Sequence, residues 1–119
     1  MASSDTLNTF GAVFTFAIEL EAQLSAYYDR VGDSAKSKSA EKRRKKLERV
    51  RRENVVEITL EPITGLNAGD YTLDLSDRSA EGQMAAARKA AQFYVDAAPK
   101  INVRAAQRAL ERCGKEHAQ

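Results

Sequence analysis

An all-α four-helix bundle is the architecture predicted by three features of this 119-residue chain. Glycine and proline together number only eight, tryptophan is absent, and alanine is dense in the last third, a composition that favours helices over a turn-rich β fold. Apolar residues recur at spacings of three and four along several stretches, the period of a helix face. Pro62 and Pro99 fall where those stretches stop and where a helix must break. With 43% hydrophobic and 30% charged residues, the chain suits one globular domain over residues 1–119.

Helix 1 is expected over about 5–31, capped by Asp5 and stopped at Gly32. Its inward stripe is Phe10, Val13, Phe14, Ala17, Leu24, Tyr28 and Val31, and the same stripe places Glu21 at its centre. A carboxylate buried there needs a cation, a metal or a donor. Helix 2 is expected over about 37–61, with Leu47, Val50, Asn54 and Ile58 inward and Arg51 beside them. The alternating segments VVEITL and YTLDL leave a short hairpin within 55–75 as the alternative. A long connection over 63–76 could cross the length of a bundle. Helix 3, about 78–98, would bury Met84, Ala87, Ala91, Tyr94 and Ala98. Helix 4, about 102–117, would be capped by Asn102 and bury Val103, Ala106, Leu110, Cys113 and His117.

An internal duplication is suggested by two matches in the same order. LERVRREN (47–54) and LERCGKEH (110–117) align 63 residues apart, and Tyr28 aligns with Tyr94 66 residues apart. At this point FAIELEAQLSAYY, with Glu21 seven residues before Tyr28, resembles the first helix of rubrerythrin-like members of the ferritin-like superfamily, and LERCGKEH resembles their E-x-x-H helices. The resemblance implies a ferritin-like antiparallel bundle with a long crossover between helices 2 and 3.

That family's di-iron centre takes a Glu from each of two helices and an E-x-x-H pair from each of the others. Carried over, Glu21 and His117 are retained. The remaining positions fall on Arg51, Asn54, Ala87 and Gly114, which leaves too few carboxylates for two irons. The expectation is therefore a degenerate site with no metal or other cofactor, its place taken by a core ion pair between Glu21 and Arg51 with Tyr28, Asn54 or Tyr94 as hydrogen-bond partners, for which the small Ala87 and Gly114 leave room; the alternative has Arg51 turned outward and Glu21 held by a tyrosine or water.

Other chemistry is weakly encoded. His117 lies three residues from the end and is expected to be exposed on a frayed turn. Cys113, the one cysteine, reads as a small core residue and not as a thiol catalyst activated by His117. Tyr27, Tyr28, Phe93 and Tyr94 read as core aromatics and not as a redox relay. Ten of the nineteen basic residues lie between Lys36 and Arg52. Lys42, Arg43, Lys45, Lys46, Arg49 and Arg52 form a candidate basic surface, expected to be a solvated helix face paired with its own acids. No aromatic residue is interleaved for stacking, so nucleic acid is the disfavoured partner.

Phe14, Phe16, Ile18, Leu20 and Tyr27 exceed what one stripe can bury and suggest a homodimer through helix 1. No signal-peptide pattern or membrane-length apolar run is present, so a cytoplasmic location and no membrane partner are expected. The functional expectation is a non-catalytic, self-associating or partner-binding bundle, set in a stress or iron context by its resemblance. A rubrerythrin-like oxidoreductase with an atypical iron or manganese site is the first alternative, and a nucleic-acid-binding module through helix 2 the second.

Overall fold

A computed structural model of the chain describes residues 7–54 and 63–118. Four α-helices pack around one core: α1 (Phe10–Arg30), α2 (Ser34–Asn54), α3 (Ala80–Ala97) and α4 (Arg104–Ala118). No strand is present among the described residues.

Helix α1 starts at Thr9, whose hydroxyl accepts the Ala12 amide at 3.0 Å, the usual way of satisfying a free first-turn donor. The expected Asp5 cap lies outside the described residues. Gly32, at φ 84°, makes the turn into α2, a conformation glycine adopts without strain. The α1 stripe is buried as its spacing implies, with Val13, Phe14, Ala17, Leu24 and Glu21 all at 0% exposure.

Helix α2 begins three residues earlier than expected and presents Ala40, Arg43, Leu47 and Val50 inward. Asn54 turns back on its own helix, donating to the Val50 carbonyl at 2.8 Å. The expected extension to residue 61, the inward Ile58 and the first arm of the alternative hairpin lie outside the described residues. Its second arm is not a strand, since Ala68–Tyr71 is a 3-10 turn.

The described part of the connection runs beside α1. Ile63 donates its amide to the Asn8 carbonyl, the Tyr71 ring lies 6.5 Å from that of Phe16, and the Tyr27 hydroxyl donates to the Asp77 carbonyl at 2.6 Å.

Helix α3 is capped by the Ser79 hydroxyl; Tyr94 and Ala98 are buried as expected, but the earlier turns present a face one position away from the expected one. Ala86, Ala90, Phe93, Tyr94 and Ala97 are buried, whereas Met84 is 55% exposed and Ala87 and Ala91 are half-buried. Phe93 packs between Phe16 and Tyr71, tilted against the first at 4.9 Å and edge-to-face with the second at 5.4 Å between ring centroids. A phenylalanine removes more apolar area from water than a methionine kept at the rim, so it sets the phase.

Helix α4 starts at Arg104, and the expected Asn102 cap is not formed. Ala106, Leu110 and Cys113 are inward as expected, Val103 is half-buried, and His117, expected to be exposed, is inward too. Close approach to α3 uses Gly114, where a Cβ atom would lie 2.9 Å from that of Tyr94.

The two helix pairs do not share one register. Glu21 faces Arg43 in the first pair, and the matched offsets would carry that contact to Ala87 and Ala106. In the second pair Tyr94 lies against Gly114 instead, so the suggested duplication is not reproduced at the level of side-chain pairing.

Candidate functional site: a closed carboxylate centre

Four helices converge on Glu21. Its position on the α1 stripe carries it to the middle of the core, where it is fully buried. From α2, Arg43 donates its Nε to Oε1 at 2.9 Å. From α3, the Tyr94 hydroxyl donates to Oε2 at 2.6 Å, and from α4 the Nε2 of His117 lies 2.8 Å from the same oxygen. An ionised carboxylate only accepts, so Nε2 is assigned as the protonated ring nitrogen. The imidazole also lies parallel to the Tyr94 ring, 5.8 Å between centroids. Arg43 continues outward, its Nη1 donating to Oε1 of the partly exposed Glu116 at 3.0 Å.

The electrostatics follow from this geometry. Burial pushes the Glu21 carboxyl up, but the hydrogen bond and charge of His117, the charge of Arg43 and the Tyr94 hydroxyl together hold it below the usual range. Burial likewise acts against the charged form of Arg43, and Glu21 beside it more than restores it. Tyr94 is raised well above the ordinary tyrosine range, first by burial and then by the Glu21 charge. Such a network holds its carboxylate ionised and its phenol neutral.

Several sequence expectations change here. The core cation is Arg43 and not Arg51. Arg43 is in phase with Ala40, Leu47 and Val50, whereas Arg51 follows Val50 by one position and points elsewhere. The Arg51 guanidinium comes within 3.7 Å of the place a Cβ on Gly11 would take, and its buried Nε has no partner among the described residues. Arg43 is accordingly removed from the basic surface, being 7% exposed. Lys42, Lys45, Arg49 and Arg52 are exposed and Lys46 partly so.

His117 is not on a frayed turn. It is 8% exposed and bonded to Glu21, so the two retained positions of the family pattern do meet. Asn54 takes no part, and Ala87 borders a polar cavity of about 330 Å³ next to Arg43 and His117. Gly114 makes room for Tyr94 and not for an arginine. Tyr27, Tyr28, Phe93 and Tyr94 are core aromatics, and Cys113 is a core residue whose thiol is pushed up to about 12, mainly by burial.

These residues do not fit a di-metal centre. Both Glu21 oxygens already accept protein donors, and the cation beside Glu21 is a guanidinium, whose charge repels a metal ion. Among the described residues no group of three or more His, Cys, Asp or Glu side chains is arranged to hold a metal.

The argument for a dimer surface on α1 also changes. Phe14, Leu20 and Tyr27 are buried within the chain, and Phe16 and Ile18 pack against the core. Among the described residues the exposed large apolar ones are Met84 and Val95, both on α3. No helix among the described residues is long and apolar enough to cross a membrane. No protein-family model, no curated protein and no solved structure matches the chain.

Proposed function

We propose that this chain is a non-catalytic bundle of ferritin-like ancestry in which an arginine-centred network has replaced a di-metal site, and that it works by binding a partner. The observation that carries the reading is that both oxygens of buried Glu21 are already engaged, by Arg43 on one and by Tyr94 and His117 on the other. A metal-binding carboxylate must present free lone pairs to the ion.

Helix directions support the ancestry. Glu21 meets Arg43 and Ser25 meets Ser37, an antiparallel pairing of α1 with α2. Tyr94 abuts Gly114 while Gln107 reaches the Ala98 carbonyl, an antiparallel pairing of α3 with α4. Tyr27 meets Asp77 and Phe16 meets Phe93, which runs α3 antiparallel to α1 as well. With α2 and α3 pointing the same way, the connection between them must return along the bundle, and its contacts from Asn8 to Tyr27 follow that path.

The test is metal loading. Protein incubated anaerobically with Fe(II), and separately with Mn(II), is desalted and its metal content measured by mass spectrometry. The expected result is well under one metal per chain. One or more per chain, lost on Glu21→Gln, would move the rubrerythrin-like oxidoreductase reading to first place.

A further inference from the structure

The charge of this protein is strongly polarised between its helices. Helix α2 carries ten bases and three acids, and α4 carries four bases and two acids, an excess of nine positive charges on two helices of a chain whose net charge is +2. The two helices meet in a groove of about 200 Å³ lined by Lys42, Lys46 and Arg112 over Ala109 and Cys113, with Glu116 also on its wall but neutralised by its ion pair with Arg43. Arg49 continues the Lys42 and Lys46 face by helical spacing, and Arg108 stands one turn before Arg112.

These cations are not neutralised locally. Glu41 and Glu48 both pair with Arg44, and Lys42, Lys46, Arg49, Arg108 and Arg112 take part in no ion pair among the described residues. The expectation of a helix face balanced by its own acids is therefore met at Arg44 alone.

We propose that the α2–α4 groove is a docking surface for the backbone phosphates of duplex nucleic acid. This names the partner in the binding role proposed above and rests on that role. Three observations select the class. Among the described residues the face carries no exposed large apolar side chain, since Met84 and Val95 lie on α3. Protein interfaces rely on buried apolar and aromatic anchors, whereas phosphate binding needs charge alone. Apart from the buried His117, α2 and α4 contain no aromatic side chain, which removes the stacking platform that single strands require. From Lys38 to Arg49 the strip is about 17 Å long, a span that meets about five phosphates of one strand. Six cations, Lys38, Lys42, Lys46, Arg49, Arg108 and Arg112, stand along it. With no groups placed to read base edges, binding is independent of sequence.

The test is fluorescence anisotropy with two unrelated 25-base-pair duplexes over a salt series. The wild-type protein is expected to bind both alike, with Kd about 10⁻⁴–10⁻⁶ M near physiological salt and log K falling with log salt at a slope of about −4. The exposed triple variant Lys42→Ala, Lys46→Ala, Arg112→Ala leaves Arg43 and the core untouched. It should lose about tenfold or more in affinity and flatten the slope by about 2 to 3. A control triple, Arg30→Ala, Arg88→Ala, Lys89→Ala, has the same net charge and should change little.

Equal loss in both triples would overturn the proposal, as would no binding to the duplexes. So would single-stranded DNA bound as tightly as duplex, or polyglutamate competing as well as duplex, which would point to an acidic protein partner. Metal loading of the same preparation reports separately on the core, so failure here is distinguishable from failure of the ferritin-like reading.

Discussion

Arg43→Ala is expected to be among the most destabilising substitutions in this chain. The Glu21 side chain has no solvent exposure and that of Arg43 is 8% exposed, so solvent screens the pair little. Removing one partner of such a pair strands the other charge, which costs about 3–5 kcal/mol. Tyr94 and His117 continue to donate to Glu21, so the low end, about 3 kcal/mol, is the expected value. In urea unfolding that loss lowers the midpoint by about 1.5 M at an m-value near 2 kcal/mol/M. Arg43→Lys keeps the charge but loses the planar fork that reaches Glu21 and Glu116 together, and should cost about 1.5 kcal/mol. The double variant Glu21→Leu, Arg43→Met removes both charges and should recover most of the loss. Arg51→Ala is the comparison, expected to cost under about 1 kcal/mol because no ion pair is broken. The reasoning is refuted if Arg43→Ala costs less than about 1 kcal/mol, or if Arg51→Ala costs as much as Arg43→Ala.

Two further outcomes follow from the same core. The folded-state pKa of Glu21 is depressed below its ordinary 4.5, so its stabilising contribution is present above that value and is lost as pH falls through the folded pKa. Stability measured from pH 6 down to pH 2 should therefore drop below about pH 4.5, and Glu21→Gln should drop less steeply over the same window. Cys113, with its thiol pushed up to about 12 by burial, should be inert to a thiol reagent at pH 8 in native protein and react fully in denaturant. Rapid labelling of the native state would place Cys113 at the surface.

Much of the fold was legible because periodic apolar spacing is a strong signal. The α1 stripe, including the odd carboxylate Glu21, lies where its phase puts it, and so do Ala106, Leu110 and Cys113 on α4. Helix α3 was harder to phase because alanine occupies several of its faces, and only the burial of Phe93 settled which one turned inward. The partner of Glu21 was hidden inside a run of basic residues, where charge drew the reading toward a surface. Spacing could have found it, since Arg43 falls between Ala40 and Leu47 in the same register as Val50. His117 was misplaced by a general rule about chain ends. A terminal turn frays when nothing holds it, and here a buried carboxylate does.

The central claim is that Arg43 closes the Glu21 centre, and side-chain NMR of ¹⁵N-arginine-labelled protein tests it most directly. The Arg43 Nε–H, assigned by its loss in Arg43→Lys, is expected in slow exchange with water and released to fast exchange in Glu21→Gln. An Arg43 Nε–H that exchanges as fast as that of exposed Arg49, with Glu21→Gln leaving it unchanged, would contradict the account.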